Sequence, residues 1–231
     1  MMPLAVVGTE SPCGGYEVTV RVEGETPMQS TRWEILQLLK RRGRATVQEL
    51  AKALNMTLMG VRLHLVVVER DGYVRRSTLR EKPGRPAMVY SLTPKAEEIF
   101  PKRYDLLAEV LLDAVQRDPS ASGSGDILSA TGRGLAAPFM SRLNGGALAS
   151  RVDGVGRILE EMGGFTSCET VSGGYLVHQY NCLFYRVAER NRDVCSIDEL
   201  FLQELLGVQP QRKACLLDGG GRCTYFIPGD D

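Results

Sequence analysis

The chain has 231 residues, 43% of them hydrophobic, and its 28 Lys and Arg balance 28 Asp and Glu. That length can bury a substantial core in one large domain or two smaller ones. There is no run of about 18 apolar residues and no N-terminal basic patch leading into an apolar stretch, so neither a membrane span nor a signal peptide is supported. We therefore expect a cytoplasmic protein that has no membrane partner.

The basic charge is confined to one part of the chain. Residues 28–103 contain 16 Lys and Arg against 7 Asp and Glu, a net charge of +9. The corresponding counts are 1 against 4 in residues 1–27 and 11 against 17 in residues 104–231. Clustered Lys and Arg gain affinity for phosphates by releasing counterions, so the basic segment predicts a polyanion, such as double-stranded DNA, as a partner.

The first part of the chain predicts an arm followed by a helix. Residues 1–27 are rich in glycine and have one short patch of alternating apolar residues. We interpret them as an N-terminal arm. From Ser30 the apolar residues follow a helical period that ends near Gly43, which predicts the first helix.

Two further helices follow at a short interval. Thr46 and Glu49 form a capping box for a second helix that ends at Asn55, and Thr57 caps a third helix that runs to Asp71. Three short helices joined by tight turns are typical of the helix-turn-helix, in which the last helix lies in the major groove.

A β-wing is predicted after the third helix. A strand from Tyr73 to Ser77 leads to a polar tip at residues 80–86 and a return strand from Met88 to Leu92. The Pro-Gly-Arg-Pro sequence at the tip would hold Arg85 outward, where it can enter a minor groove or bind a phosphate. Residues 28–103 are therefore predicted to form a winged-helix DNA-binding domain.

The predicted DNA contacts lie early in the third helix and on the wing. The order of helices and hairpin, together with the local charge, favours DNA binding over a merely solvated basic face. Val61, Leu65 and Val68 are expected to pack inward, and Leu63 is early enough to approach base edges. The predicted contacts are Thr57, Met59, Gly60, Arg62, His64, Arg75, Arg76, Arg80, Lys82 and Arg85.

The middle of the chain predicts a dimerisation helix and a linker, residues 104–125. A short helix from Thr93 to Phe100 precedes a strongly apolar helix from Tyr104 to Val115. That apolar face needs a partner, either the wing domain or a second copy in a homodimer. The Pro-, Ser- and Gly-rich residues 118–125 are then a flexible boundary.

The C-terminal half, residues 126–231, predicts a sensor domain of helices and hairpins. Two helices, Asp126 to Leu143 and Ala147 to Met162, precede one hairpin over residues 165–180 and another over residues 212–227. The predicted fold class is therefore α+β, an N-terminal winged helix-turn-helix plus a C-terminal helix and β-hairpin sensor domain.

Five of the six cysteines follow residue 167. Cys182 lies at the exit of the first hairpin, Cys195 opens an amphipathic helix, and Cys215 and Cys223 lie in the second hairpin. Such positions are expected to be exposed and to offer backbone N–H groups, which lower a thiol pKa and favour binding of a metal or cluster. The alternative is that these cysteines are small buried hydrophobic residues, since no C-x2-C pair is present.

The sequence resembles the SufR-type winged-helix regulators, which repress operons for iron–sulfur cluster assembly and carry a cluster themselves. The resemblance covers roughly residues 28–227, and residues 1–27 lie outside it. Leu183 stands where such proteins usually have proline. The matching segments are residues 61–65, 71–74, 84–93 and 100–104, the pairs 181–182, 187–188, 194–195 and 199–200, Arg212, and residues 223–225.

The resemblance implies an iron–sulfur cluster, of the 4Fe-4S type, held by Cys182, Cys195 and Cys223. Twelve residues separate the first pair and twenty-seven the second, as in that family. A fourth ligand would come from Cys215, Cys168 or His178. The resemblance also implies that the holo form represses and that the apo form releases its promoter.

The hypothesis from the sequence is that a cluster joins both hairpins to the Cys195 segment and so fixes the spacing of the two reading helices in a dimer. One alternative is a winged-helix regulator with zinc or a small-molecule effector in its C-terminal domain. Another is an enzyme or cluster carrier. We do not expect an enzyme, because the chain has only two histidines and no recognisable nucleophile-base arrangement.

Overall fold

The structure is a computed structural model, which describes residues 28–79, 87–117, 124–143 and 145–229. The chain divides between Phe100 and Pro101 into two compact units, here the N-terminal unit and the C-terminal unit. This division lies three residues before the predicted domain boundary. The predicted arm, residues 1–27, lies outside the described residues, as do residues 118–123 of the predicted linker.

Three helices open the N-terminal unit: α1 (Met28–Arg42), α2 (Val47–Ala53) and α3 (Leu58–Arg70). Both predicted caps are confirmed. The side chain of Thr46 accepts from the backbone N–H of Glu49 and that of Glu49 from the backbone of Thr46, which completes the capping box. The Thr57 hydroxyl accepts from the backbone N–H of Gly60 at 3.1 Å. These bonds satisfy N–H groups that have no partner within the helix.

A three-stranded antiparallel sheet completes the winged helix. Its strands are β1 (Arg44–Thr46), β2 (Val74–Leu79) and β3 (Ala87–Leu92), in the order β1-β3-β2. The predicted wing strands are confirmed to within two residues, and the tip, residues 80–86, lies outside the described residues. The strand β1 was not predicted, because three residues are too few to show an alternating period.

The N-terminal unit has its own hydrophobic core. Trp33 packs against Phe100 with ring centroids 5.3 Å apart, and Lys40 forms an ion pair with Glu97 beside that ring. A 3-10 helix at Pro94–Ile99 replaces the α-helix predicted there. The buried apolar residues of the three helices are Ile35, Leu36, Leu39, Val47, Leu50, Ala51, Val61, Leu65 and Val68.

The C-terminal unit has five α-helices among its described residues: α4 (Tyr104–Arg117), α5 (Ser124–Ala136), α6 (Leu148–Glu161), α7 (Tyr185–Arg190) and α8 (Ser196–Leu206). The α5 helix already includes the last two residues of the predicted linker. It ends seven residues earlier than predicted and continues as a 3-10 helix, because Pro138 has no N–H for the α-helical ladder. The six-residue α7 was not predicted.

The apolar face of α4 packs within its own unit. Leu107 is buried, and Leu106, Val110 and Leu111 pack against the same core, where α4 contacts α5. The partners predicted for this face were the wing domain and a second copy, and neither of them is α5. Helix α5 in turn contacts α8, and a Cβ at Gly132 of α5 would lie 2.5 Å from the Cβ of Leu200.

A four-stranded antiparallel sheet lies beside these helices. Its strands are β4 (Thr166–Val171), β5 (Gly174–Gln179), β6 (Gln211–Ala214) and β7 (Cys223–Pro228), in the order β4-β5-β7-β6. The two predicted hairpins are therefore joined into one sheet by the pairing of β5 with β7. The structure confirms the α+β class with an N-terminal winged helix-turn-helix.

Among the described residues, no single helix is both long and apolar enough to cross a membrane. The pair α2 and α3 is together long and apolar enough by length and composition only, and the two helices are bent by 111° relative to each other.

Candidate DNA-binding face and cysteine site

The outward side of α3 carries most of the DNA contacts predicted for that helix. Met59 and Arg62 are exposed, and Gly60 and His64 are half-buried. Thr57 is exposed, but its hydroxyl is used in capping α3. Val61, Leu65 and Val68 are buried as predicted.

The basic side chains of β2 lie next to α3 in the same unit. Arg75 and Arg76 are both exposed. Arg76 forms an ion pair with Glu69 of α3 at 3.3 Å, and the Nε of Arg75 donates to the hydroxyl of Ser91 at 3.4 Å. The other three predicted contacts, Arg80, Lys82 and Arg85, lie outside the described residues.

Four of the cysteines line one cavity in the C-terminal unit. We call it the cysteine cavity. The remaining lining is mostly apolar, with one carboxyl group. The lining residues are Cys182, Cys195, Cys215, Cys223, Asp198, Phe184, Ala188, Val194, Leu216, Leu217 and Tyr225.

The sheet and α8 bring these four thiols together. Gln179 at the end of β5 pairs with Cys223 at the start of β7. Cys182 follows Gln179 by three residues and therefore lies near Cys223. Cys215 directly follows β6, the other neighbour of β7, and Cys195 directly precedes α8. Cys215 is close enough to Cys195 and Cys223 to contribute to the raised pKa of both thiols. The cavity thus joins four segments that are spread over more than forty residues of the chain.

The expected exposure of these cysteines was wrong. All four are buried, because each points from the end of a strand or helix into the core. Burial raises the pKa of the Cys195 thiol to about 11 and that of Cys223 to about 12, and it raises the pKa of Cys182 further. The predicted backbone donor is present at Cys223, where the N–H of Leu216 donates to its sulfur at 3.4 Å and opposes the rise in pKa.

Asp198 is a residue of the cavity that the sequence analysis missed. Burial raises the pKa of its carboxyl to about 6, and a hydrogen bond from the Tyr225 hydroxyl, at 3.3 Å, acts in the opposite direction. Its place in the first turn of α8, three residues after Cys195, was the available signal.

A guanidinium group borders the cavity. The Nη1 of Arg192 lies 3.5 Å from the sulfur of Cys215 and 3.1 Å from Asp218. The Arg192 side chain therefore places a cation at this edge of the cavity.

The other two fourth-ligand candidates lie outside the cavity lining. The sulfur of Cys168, on β4, is 3.8 Å from the carbonyl of Val152 on α6. The two ring nitrogens of His178 are each 3.0 Å from a partner, one from Thr224 and the other from Glu169. Of the three predicted candidates, only Cys215 lies with Cys182, Cys195 and Cys223.

The four thiols do not converge on a single point. Among the described residues, no three or more His, Cys, Asp or Glu side chains are arranged to hold one metal ion. A structural Zn²⁺ needs its thiolates at about 2.3 Å from a common centre. The ligands of an iron–sulfur cluster instead bind separate irons, so they surround a larger volume.

The segment that carries Cys182 also binds the first residues of the C-terminal unit. We call Pro101, Lys102 and Arg103 the link segment. The Lys102 ammonium donates to the side-chain oxygen of Asn181 at 2.9 Å and to the carbonyl of Cys182 at 3.1 Å.

Two further bonds hold the link segment. The Asn181 side chain is fully buried and donates to the carbonyl of Pro101 at 2.8 Å. The backbone N–H of Arg103 donates to the carbonyl of Leu183 at 3.2 Å. One wall of the cysteine cavity is therefore tied to the chain that follows the winged helix.

Comparison with known proteins agrees with the fold of the N-terminal unit. Residues 28–75 match the family model of winged helix-turn-helix DNA-binding domains. No curated protein and no solved structure matches the chain. The chain therefore carries a winged helix-turn-helix DNA-binding domain. A domain of this kind binds DNA and indicates a transcriptional regulator.

Proposed function

We propose that the protein is a cytoplasmic, homodimeric DNA-binding regulator that senses an iron–sulfur cluster and represses cluster-assembly genes in its holo form. One observation carries the proposal: four thiols from four separate segments line one cavity. Three of them, Cys182, Cys195 and Cys223, have the spacing of the ligands in the SufR-type family.

The donor set of the cavity suits such a group. Soft thiolates are the ligands that iron–sulfur clusters prefer. Cys182, Cys195 and Cys223 would hold three irons of a 4Fe-4S cluster. Cys215 would be the fourth ligand, because it is the candidate that lines the same cavity. Bound there, the cluster would supply an oxygen-sensitive link between four segments of the chain. The scattered positions of the thiols favour this ligand over a single zinc ion.

The chain's own contacts offer a route from the cavity to the winged helix. Cys182 belongs to the segment that holds the link segment through the four hydrogen bonds described above. A change in the position of Cys182 would therefore alter the hydrogen bonds of Lys102 and Arg103. These residues directly follow the end of the N-terminal unit at Phe100.

A second route runs through the helices. Cys195 is the N-cap of α8, α8 contacts α5, and α5 contacts α4. The link segment leads directly into α4, which begins at Tyr104. Occupancy of the cavity can thus bias the position of α4 through the link segment and through α5. A sensor needs such a difference between its two states.

The experiment is anaerobic purification followed by visible absorption spectroscopy and assays of iron and sulfide. We expect a broad absorption band and about four irons per chain in the wild type, as a 4Fe-4S cluster requires. The band should be lost or strongly reduced in Cys182→Ser, Cys195→Ser and Cys223→Ser. In Cys215→Ser we expect an altered or more labile band.

Cys168→Ser is the matched control, because this cysteine lies in the same unit but outside the cavity lining. It should keep the wild-type spectrum. A colourless wild-type protein that remains free of iron after anaerobic reconstitution would overturn the cluster proposal. Stoichiometric zinc in that protein would then support the zinc-dependent alternative. Size measurement of the DNA complex tests the homodimer.

A further inference from the structure

The outward face of α3 carries a stripe of exposed apolar side chains. Met59, Leu63 and Val66 are 63%, 64% and 62% exposed, and their spacing of four and three residues places them on one side of the helix. We call these three residues the apolar stripe. Leu58, 44% exposed, adjoins it at the N-terminus of α3.

The core of the N-terminal unit does not account for the stripe. The inward face of α3 is formed by Val61, Leu65 and Val68, which are almost completely buried. Large apolar side chains that remain together on a surface mark a site of interaction. Arg62 and Arg70, which are exposed on the same helix, favour a polyanion as the partner.

The chemistry of the stripe selects one feature of DNA. Phosphates are bound by cations and hydrogen-bond donors, which Met59, Leu63 and Val66 cannot supply. Of the groups that base pairs present in the major groove, the C5-methyl group of thymine is the apolar one. Apolar side chains on a reading helix therefore match thymine.

We propose that Met59, Leu63 and Val66 read thymine methyl groups in the major groove, so that the preferred site contains a short thymine-bearing stretch. Met59 and Val66 are seven residues apart, which corresponds to roughly 10 Å along a helix. That distance covers about three base-pair steps of 3.4 Å. This inference rests on the DNA-binding part of the proposed function and is independent of the cluster.

The test begins with selection of bound sites from a random double-stranded DNA library by the full-length protein. In the selected site each thymine is replaced, one at a time, by deoxyuridine, which keeps base pairing and removes only the methyl group. Fluorescence anisotropy at constant salt gives the dissociation constant for each DNA. We expect about fourfold weaker binding per methyl group at two or more thymines within four consecutive base pairs, as for burial of one methyl group.

Variants of the stripe connect each methyl group to a side chain. Leu63→Ala should bind the thymine site more weakly and should lose its sensitivity to deoxyuridine at one position, with Met59→Ala doing the same at another. Folding should be unchanged, since both side chains are exposed. Met140→Ala, which removes an exposed methionine from the C-terminal unit, is the control and should bind as the wild type does.

Three outcomes would overturn the inference. If deoxyuridine has no effect at any position, the stripe does not read methyl groups, although DNA binding stands. If the library yields no bound site in either the apo or the holo form, the DNA-binding function fails as well. If Leu63→Ala changes the oligomeric state and leaves DNA affinity intact, the stripe is an interface between protein chains.

Discussion

The side chain of Lys102 makes two of the hydrogen bonds that join the link segment to the Cys182 segment. Its ammonium also lies 5.6 Å from the centre of the Tyr185 ring. One cation of the link segment thus contacts both a wall of the cavity and the start of α7. Hydrogen bonds from a charged donor are stronger than those between neutral groups, so a neutral residue at position 102 would lose strong contacts.

We predict that Lys102→Met reduces the difference in DNA affinity between the holo and apo forms, while the cluster still binds. Methionine keeps most of the apolar stem but donates no hydrogen bond to Asn181 or Cys182. The measurement is DNA affinity with and without cluster, where a coupling of at least about fivefold is expected in the wild type. Lys213→Met is the control, since Lys213 also lies over a ring, that of Phe226, but far along the chain from the link. An undiminished ratio in Lys102→Met would exclude this route.

Residues whose contacts are local in the sequence were predicted better than residues whose contacts are distant. The caps at Thr46 and Thr57 could be predicted because a cap bonds within three residues of itself. The participation of Asp198 could not be predicted, and the burial of Cys182 could be named only as an alternative, because both depend on which distant segments pack around them. The spacing of the cysteines identified candidate ligands, and only the fold separated Cys215 from Cys168 and His178.

Helices α5 and α8 approach each other closely at one glycine. A Cβ added to Gly132 would lie 2.5 Å from the Cβ of Leu200 and 3.3 Å from the carbonyl of Ile197. The backbones can come this close only because residue 132 has no side chain. This contact is one step of the helical route from Cys195 to α4.

We predict that Gly132→Ala destabilises the C-terminal unit by about 1–3 kcal/mol, because the helices must separate to admit the methyl group. Chemical denaturation followed by circular dichroism measures the change. Gly125→Ala is a matched control on the same helix, where a Cβ would have nothing within 4 Å. It should be neutral, or stabilising by up to about 1 kcal/mol. Equal effects of both substitutions would contradict a close helix contact.

Elements with local signals were predicted better than elements that depend on distant pairing. The strands of the wing and of the first C-terminal hairpin follow from alternation and turn residues. The pairing of β5 with β7 joins residues almost fifty positions apart, and no local pattern records it. The partner of α4 was missed for the same reason, since an apolar face indicates that a helix is covered but not by which element.

At the scale of the whole molecule, the two units have separate hydrophobic cores. Trp33 is the single tryptophan of the chain and lies in the N-terminal unit against Phe100. Its fluorescence therefore reports on the winged helix alone. The cysteine cavity, in contrast, lies entirely in the C-terminal unit.

We predict two unfolding transitions, of which only one responds to the cluster. A ligand that binds the folded form raises the stability of the unit that holds it. Reconstitution should therefore raise the midpoint of the transition seen by circular dichroism but not by tryptophan fluorescence. Leu39→Ala, in the core of the N-terminal unit, should lower the fluorescence midpoint instead. A single transition that moves as one in both experiments would show that the units unfold together.

The charge distribution predicted the whole-molecule organisation more directly than any single motif. The +9 of residues 28–103 separated a DNA-binding module from an acidic remainder, and the family match falls within that module. The division at Phe100 lies close to the predicted boundary. The charges did not predict the hydrogen bonds of Lys102 on which the proposed coupling rests, because those bonds depend on how distant segments pack.

The strand order β4-β5-β7-β6 places β7, the last strand formed in sequence, in the interior of its sheet. Domains generally fold as units while the chain is being synthesised, beginning from the N-terminus. The winged helix is complete once Phe100 has left the ribosome. The strands β5 and β6, in contrast, can join one sheet only after residues 223–228 emerge and form β7 between them. During synthesis there is consequently an interval in which a nascent chain already has a folded DNA-binding domain but cannot yet assemble its cysteine cavity.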